Sequence, residues 1–503
     1  MKKDLEFVLQ QQKEIMLLAG TGALLEWDRE TYMPKQGIMN RAEQAAIVSR
    51  LVHEKVVSEK FYGALKRLVK PRTLRKLSAM HQFIVKRAFK DVRKARKLPP
   101  EFVAEMARTT ALANHAWVEA KQKNRFRLFA PHLKKIVELK RRQAKLIGLE
   151  GHPYNSLLDG FEEGMTVEKL RKTFSYLKAE LLKLLEEIKQ SKKFREQGKK
   201  LFRKKFPVEK QKKLCRLAYG LILPAAESRL DVSAHPFTTT IGRHDVRITT
   251  RYHEENPFFS LSATVHESGH ALYELQLPKQ FEHTFIFDAP SLGVHESQSL
   301  FWENMVLMNE GFWDYFYQRF CKEVREELKG LSRKEVLEKL NEVKPSFIRV
   351  DADEVTYPLH VILRFELELG LIEGKIKVND LPKLWNRKMK QYLGITPGKD
   401  SEGVLQDTHW SIGHIGYFPT YALGAIYAVQ LYKRLLKEMP SARKQIANGN
   451  FEPVKGWLHK KVHCHGRKFT AEEIIWKATG KNLDSEGFVS YLREKYSKIY
   501  GLK

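Results

Sequence analysis

Cysteine is scarce in this chain of 503 residues, which contains only Cys215, Cys321 and Cys464, far apart from one another. So few cysteines cannot build a disulfide framework, and we therefore expect a reducing compartment, the cytoplasm. Residues 1–5 lead into a charged amphipathic segment that lacks the apolar core of a signal peptide. The longest apolar run, 421–432, is about 12 residues long, too short to span a bilayer. These absences predict a soluble protein with no membrane partner.

Proline and glycine are also sparse, at 19 and 29 residues, and no linker rich in serine and glycine divides the chain. The length alone would allow about three domains. Because linkers are lacking, we instead expect one domain over residues 1–503, with two lobes around a cleft as a variant. Apolar residues recur with helical spacing almost everywhere, and the fold class is therefore predicted to be all-α. The clearest helical segments are 5–25, 42–55, 101–122, 167–189, 333–343, 357–369 and 424–438.

One segment departs from helical spacing. Residues 235–241 and 246–252 are rich in β-branched and aromatic side chains, and a glycine and an aspartate lie between them. This pattern predicts a short β-hairpin. The hairpin directly precedes the motif described below. The edge of a strand in this position can hold an extended peptide by main-chain hydrogen bonds.

The charge of the chain is strongly basic, with 89 Lys and Arg against 60 Asp and Glu, a net charge of +29 at pH 7. Basic runs at 86–97 and 192–213 would fit a nucleic-acid-binding surface. Glutamate is interleaved through most predicted helices, however, and no nucleic-acid-binding module is visible. We therefore favour solvated helix faces of mixed charge and expect no nucleic-acid partner. Such a surface also suits a protein from a thermophile, stabilised by ion-pair networks.

The most informative stretch reads H-E-S-G-H at 266–270, followed by H-E-S-Q at 295–298. On a helix, residues four apart project from one face, so His266 and His270 can bind one metal ion together. Glu296 is the best-placed third ligand, and Glu267 would act as general base on a water molecule in the fourth position. This is the geometry of a zinc hydrolase with one divalent ion, although the ligands also admit cobalt or manganese.

The residues around this motif predict a helix of about four turns with the motif in its middle. Ser260 and Ser262 are candidate N-caps, Pro278 marks the end, and apolar residues follow helical spacing at Leu261, Val265, Leu272 and Leu275. His295 lies about 100° around the helix from Glu296, so we expect it to support the site rather than to bind the ion. The histidine-rich cluster at 459–465 has no acidic neighbour and is not predicted to bind a metal.

Further motifs occur in order along the chain: W-D-R-E-T-Y-M-P at 27–34, H-P-F at 235–237, D-V-R-I-T at 245–249, I-R-V-D-A-D at 348–353 and G-V-L-Q-D-T-H-W at 403–410. With the two metal motifs, they resemble the carboxypeptidase Taq family, the M32 metallocarboxypeptidases, over the whole chain. The resemblance implies a helical fold with a deep central groove, one divalent metal ion per subunit and a homodimer. It also implies removal of single residues from peptide C-termini, and a distant likeness to helical gluzincins such as angiotensin-converting enzyme.

An exopeptidase must bind a free C-terminal carboxylate, for which a guanidinium group offers paired hydrogen bonds. Arg349 lies in a family motif and is the candidate for this role. The alternative is that Arg349 forms a structural ion pair with Asp351 or Asp353. Arg247 is a reserve candidate, although a structural pairing with Asp245 is expected for it.

The resemblance also implies residues that stabilise the tetrahedral intermediate. His409 and Tyr417 are candidates for donating hydrogen bonds to its oxyanion, because angiotensin-converting enzyme has such a histidine and tyrosine in a comparable stretch. Tyr421 is the alternative phenol, in which case Tyr417 would belong to the core. His235 is a candidate either for contacting the substrate carbonyl or for holding a turn.

Three functions follow from these observations. The leading hypothesis is a metal-dependent carboxypeptidase of broad specificity that acts on peptides. An endopeptidase or a dipeptidyl-carboxypeptidase with the same metal centre is the alternative within enzymes. A nucleic-acid-binding helical protein with a vestigial metal site is the alternative from another class, and the intact Glu267 argues against it.

Overall fold

In the computed structural model of the chain, residues 1–197, 205–324, 326–327 and 332–502 are described. Helices dominate these ranges, which confirms the all-α prediction. In chain order the α-helices are Lys2–Thr31 (α1), Ile38–Val57 (α2), Glu59–Leu68 (α3), Pro71–Leu74 (α4), Ala79–Ala95 (α5), Pro100–Gln122 (α6), Phe126–Ile147 (α7), Pro153–Leu158 (α8), Val167–Gln190 (α9), Lys192–Glu196 (α10), Val208–Ile222 (α11), Pro257–Leu275 (α12), Leu292–Leu300 (α13), Glu310–Val324 (α14), Arg333–Leu340 (α15), Tyr357–Glu373 (α16), Leu381–Leu393 (α17), Pro419–Glu438 (α18), Ala442–Ala447 (α19), Glu452–Lys461 (α20), Ala471–Thr479 (α21) and Ser485–Tyr500 (α22).

The segments predicted to be helical lie within α-helices, apart from the end of 333–343, where the prediction was wrong. Helix α15 ends at Leu340 because the next residues bond elsewhere. The side-chain amide of Asn341 donates to the carbonyl of Met308 at 3.1 Å. The backbone N–H of Val343 donates to the hydroxyl of Tyr500 at 2.7 Å. The backbone N–H of Asn341 still bonds to the carbonyl of Leu337 at 3.2 Å, whereas the bond of Val343 to Tyr500 takes the place of a helical one.

The buried apolar residues form one large core that runs through most of the helices, and a smaller core between α1, α3 and α5. Val8 and Phe61 of the smaller core have no exposed surface. Across the described ranges, every helix is too short or too polar to cross a membrane.

The basic run at 86–97 lies largely on α5, where its cations meet carboxylates. Arg87, for example, forms an ion pair with Glu163 at 2.6 Å. The run at 192–213 extends outside the described residues, and the lysines that are described in it also pair with glutamates. This pattern agrees with helix faces of mixed charge.

Three strands follow α11, namely Ser228–Val232 (β1), Thr238–Gly242 (β2) and Asp245–Thr250 (β3). They form one sheet in the order β1-β3-β2. The antiparallel pair of β2 and β3 confirms the predicted hairpin, whereas the parallel pairing of β1 with β3 was not predicted. The sheet packs against α12.

Strand β2 begins at Thr238, three residues later than predicted, so His235 is exposed and precedes the strand. Pro236 has no N–H to donate to a ladder, and side chains hold this turn instead. The hydroxyl of Thr249 accepts from the N–H of Phe237 at 3.0 Å. The hydroxyl of Ser233 donates to the carbonyl of His235 at 2.5 Å.

Helix α12 carries the H-E-S-G-H motif and starts at Pro257, a residue favoured in the first turn of a helix. The prediction that Ser260 or Ser262 caps this helix was wrong, since both lie inside it. Ser260 donates instead to the side chain of Gln211 at 3.0 Å. The helix ends at Leu275, shortly before Pro278, as predicted.

Two glycines allow α12, α13 and α18 to approach one another closely. A Cβ atom at Gly269 would lie 2.6 Å from the carbonyl oxygen of Gln298 on α13. A Cβ atom at Gly424 of α18 would lie 2.8 Å from the Cβ of Glu296. Both distances are below 3.0 Å, closer than the Cβ atom of a folded protein comes to another heavy atom, so only glycine fits at these positions.

We expect Gly269→Ala to destabilise the fold by about 1–3 kcal/mol, the usual cost of inserting a methyl group into a packed interior. The matched control is Gly220→Ala on α11, where an added Cβ would meet no atom within 4 Å. That change should stabilise the protein by about 0.5–1 kcal/mol, because alanine loses less backbone entropy in a helix. Urea unfolding of both variants measures the difference. Equal effects of the two substitutions would show that the close approach of α12 and α13 is unimportant.

Candidate active site

His266, His270 and Glu296 come together between α12 and α13. Their ligand atoms all lie within 4.8 Å of one another, and no other group of this kind occurs among the described residues. The Glu296 carboxylate is 3.4 Å from Nε2 of His270 and 3.9 Å from Nε2 of His266. Two imidazole nitrogens and one carboxylate oxygen are a donor set typical of catalytic zinc sites. The predicted ligands therefore fit a divalent cation.

Glu303 was missed by the sequence analysis. It lies in a π-helical turn, Phe301–Leu307, that directly follows α13. Its carboxylate is 2.7 Å from Nδ1 of His266. This bond orients the ring so that Nε2 faces Glu296, as second carboxylates do around metal-binding histidines. A signal for Glu303 exists in the sequence, since it follows Glu296 by seven residues, about two helical turns.

His295 lies outside the group of three candidate ligands. Its Nε2 is 2.9 Å from Glu274, and its ring stacks on the ring of His270 with centroids 4.3 Å apart. His295 therefore packs against the ring of His270 and limits its movement. This position agrees with the expectation that it supports the site.

Glu267 is buried beside these ligands, with 7% of its surface exposed. The hydroxyl of Thr238, the first residue of β2, donates to its carboxylate at 2.5 Å. Burial raises the pKa of Glu267, although the nearby His266 opposes the shift. Burial acts in the same direction on Glu296, but His270 and His266 lower its pKa to about 2. The two carboxyl groups thus differ in basicity, with Glu267 the stronger base.

Arg349 lies in a short 3-10 turn, Arg349–Asp351, and is buried. Its guanidinium group contacts Asp407 at 3.0 Å, a partner that was not predicted, and donates to the hydroxyl of Tyr357 at 3.2 Å. The predicted alternative, a pairing with Asp351 or Asp353, is wrong for Asp353, which accepts hydrogen bonds at the start of α16 instead.

Asp407 is shared between two arginines. Besides Arg349, it accepts from Nε of Arg364 at 2.7 Å, and Arg364 has no exposed surface. Burial raises the pKa of Asp407, but the two guanidinium groups hold it far below its usual value. Gln406 accepts hydrogen bonds from the backbone N–H of Arg349 and from the side chain of Arg364. The motif at 403–410 therefore fixes the position of Arg349.

His409 contacts Tyr421 and Tyr417. Its Nε2 is 3.1 Å from the hydroxyl of Tyr421, and its ring centroid is 5.0 Å from that of Tyr417. The two phenols also share a hydrogen bond. Burial lowers the pKa of His409 to about 3, so its ring is neutral at pH 7. The Arg349 guanidinium lies 4.5 Å from the ring of Tyr421, which joins this group to the arginine.

Two other residues singled out in the sequence have structural partners. Arg247 pairs with Asp245 at 2.8 Å and lies over the ring of Trp27 at 4.2 Å, in agreement with a structural role. In the cluster at 459–465, the two ring nitrogens of His463 contact the side-chain amides of Gln276 and Gln298. His463 thus ties the end of α12 to α13.

The sequence profile of the carboxypeptidase Taq (M32) metallopeptidases matches residues 7–496. This chain belongs to the M32 family. The family membership indicated by the motifs is therefore confirmed. The predicted enzyme class, a metallocarboxypeptidase, is confirmed as well.

Individual relatives agree with this assignment. Thermostable carboxypeptidase 1 of Pyrococcus furiosus is 40% identical over 501 residues, which cover 97% of each chain. Carboxypeptidase 1 of Bacillus subtilis is 39% identical over 95% of each chain. The crystal structure of the M32 carboxypeptidase from Deinococcus radiodurans matches with a TM-score of 0.94 and 33% identity, over 99% of this chain and 100% of that one.

We expect Glu296→Ala to yield protein depleted of metal, because two imidazoles without the carboxylate hold a cation weakly. His295→Ala should retain most of the metal, since its ring nitrogen is engaged with Glu274. Elemental analysis after dialysis compares the two variants. The reverse order of metal content would move the third ligand from Glu296 to His295.

Proposed function

We propose that this metallocarboxypeptidase removes single residues from the C-termini of peptides with broad specificity, and that Glu267 is its general base. The observation that carries the proposal is the position of Glu267. Glu267 directly follows His266, its buried carboxylate interacts electrostatically with His266 and Glu296, and burial raises its pKa. A carboxyl group with a raised pKa accepts a proton more readily near pH 7.

A divalent cation held by His266, His270 and Glu296 would lower the pKa of a water molecule and polarise the substrate carbonyl. Glu267 takes the proton of the attacking water and later donates it to the nitrogen of the leaving amino acid. Thr238 holds one oxygen of this carboxylate at 2.5 Å, which leaves the other free for the proton. Glu303 keeps the ring of His266 in one orientation through the bond to Nδ1.

Arg349 supplies the specificity for a free C-terminus. A guanidinium group has five N–H donors. In Arg349, Nε donates to Asp407 and Nη1 donates to Tyr357, while Nη2 lies 3.0 Å from the same Asp407 oxygen. Nη1 and Nη2 each keep an N–H group that can donate to the terminal carboxylate of the substrate as a pair of charge-assisted hydrogen bonds. A carboxylate clamped at this point sets the distance to the scissile bond, so that one residue is released.

His409 and Tyr417 stabilise the oxyanion of the tetrahedral intermediate, with Tyr421 as the alternative phenol. A neutral imidazole donates one hydrogen bond without bringing a further positive charge. The contact between His409 and Tyr421 at 3.1 Å supports a shared task for the two residues. His235 is exposed near the start of β2, a position from which it can contact an extended substrate.

We infer further that the native cation is zinc, with cobalt or manganese as alternatives, and that the enzyme is a homodimer. Two imidazoles and a carboxylate support zinc. The homodimer rests on the family resemblance. A cytoplasmic location is supported by the cysteines, all three of which are free thiols.

Incubation of the enzyme with a mixed set of peptides, followed by mass spectrometry, tests the proposed reaction. We expect products shortened by single C-terminal residues, no products with a chelator, and recovery when zinc or cobalt is added. Glu267→Gln is the matched variant, because it keeps the ligands but should lose roughly 10²–10⁴ in turnover. Internal cleavage, release of dipeptides or activity of metal-free protein would contradict the proposal. Loss of metal in the Glu267 variant would make Glu267 structural.

Arg349→Ala should weaken productive binding of peptides with a free C-terminus by about 1.5–3 kcal/mol, the range for a hydrogen bond to a charged group. Peptides that end in an amide should be poor substrates already, and the substitution should cost them little more. Arg349→Lys is the control, and should recover only part of the loss because a point charge lacks the paired geometry. The measurement is kcat/KM for matched acid and amide peptides. Equal losses for both peptides would make Arg349 purely structural.

A further inference from the structure

A carboxylate that the reaction does not use lies buried behind the segment 409–417. Glu368, on α16, has no exposed surface. It accepts three hydrogen bonds: from the hydroxyl of Tyr154 at 2.6 Å, from Nε1 of Trp410 at 2.8 Å and from the backbone N–H of Gly416 at 3.0 Å. All three donors therefore bond to the carboxylate of Glu368.

Two of the three donors flank the proposed oxyanion residues. Trp410 directly follows His409, and Gly416 directly precedes Tyr417. Glu368 therefore connects residues near both ends of the segment 409–417, whose first and last residues, His409 and Tyr417, carry the functional side chains. Within the segment, the N–H of His414 donates to the carbonyl of His409 at 2.8 Å, which keeps it compact.

The backbone at Gly416 makes the contact with Glu368 hard to replace. Gly416 has a φ of +103°, a conformation that favours glycine. A Cβ atom there would lie 3.1 Å from backbone atoms of Leu157 and Leu158 at the end of α8. Glycine at position 416 therefore lets the backbone adopt the conformation in which its N–H donates to Glu368. At Gly413 of the same segment, an added Cβ atom would lie 3.2 Å from Thr110 and 3.4 Å from Lys140.

Stability alone does not explain a carboxylate at this place. Burying a carboxylate is costly, and apolar side chains of similar size often stabilise a core equally well. Burial raises the pKa of Glu368 to about 7, which the three donors oppose. Unlike an apolar side chain, the carboxylate has two acceptor oxygens, which can bind the Trp410 indole, the Tyr154 hydroxyl and the Gly416 N–H at the same time.

We propose that Glu368 is a positioning residue, which holds the segment 409–417 so that His409 and Tyr417 face the substrate. The inference rests on the proposed roles of these two residues. Glu368 itself touches neither substrate nor metal ligands. A displacement of about 1 Å in such groups costs roughly a hundredfold in rate.

The first test compares Glu368→Gln with Tyr154→Phe. Glutamine keeps the shape but turns an NH2 group toward donors, and should lower kcat by roughly tenfold to a hundredfold with little change in KM or metal content. Tyr154→Phe is the matched control, because it removes the one donor that lies outside the segment. It should lower the melting temperature but leave kcat within about twofold of the unmodified enzyme. A normal kcat for Glu368→Gln, or equal losses of kcat in both variants, would overturn the inference.

A double-mutant cycle with His409→Ala gives the second test. If Glu368 acts through His409 and Tyr417, Glu368→Gln should cost much less kcat in the His409→Ala protein than in the unmodified enzyme. Losses that simply multiply would contradict a positioning role. If Glu368→Gln fails to fold, Trp410→Phe replaces it, since it deletes the Nε1 donor and keeps an aromatic ring. Full activity of His409→Ala would overturn both the proposed oxyanion role and this inference, whereas a defect in His409→Ala beside a normal Glu368→Gln overturns the inference alone.

Discussion

The close packing of α12, α13 and α18 is the constraint on which the metal site depends. The helix backbones lie so close together at Gly269 and Gly424 that a methyl group there would overlap a neighbouring backbone or side chain. This approach brings the carboxylate of Glu296 within 3.4 Å of His270. Interiors packed this tightly deform little, so the positions of the ligands are set before any cation or substrate arrives. His463 reinforces the arrangement by bonding to both α12 and α13.

The site consists of two groups of residues that come from different regions of the chain. The candidate ligands and Glu267 lie within 266–296, on two helices that pack side by side. The residues proposed to bind the terminal carboxylate and the oxyanion lie at 349–421, and their positions depend on Arg364, Asp407 and Glu368. The side chains of the first group come from one pair of helices, against which α18 packs at Gly424. The second needs α8, α16 and α18 to be in place.

This division explains what could be predicted from the sequence. Helices and the H-E-x-x-H face follow from local spacing, and so they were found, as was Glu296 through its own motif. The bond between Glu303 and His266 depends on how two helices cross, and the pairing of Arg349 with Asp407 joins residues 58 positions apart. Spacing alone predicts neither contact, although it does place Glu303 about two helical turns after Glu296. The N-cap at Ser260 or Ser262 was wrong because these hydroxyls are taken by Gln211 and Glu303 from other elements.

The shared carboxylate of Asp407 has a consequence for the end of the catalytic cycle. In the reaction proposed above, the amino acid that leaves carries the same carboxylate by which Arg349 binds the peptide, so an arginine free of other partners would also retain the product. Two N–H groups of Arg349 already donate to Asp407 and Tyr357, and its Nη2 lies 3.0 Å from Asp407. Under the proposed function, Arg349 therefore binds a terminal carboxylate more weakly than an unpaired arginine would. Weaker binding favours release of a single residue, which lacks the further contacts of a long peptide.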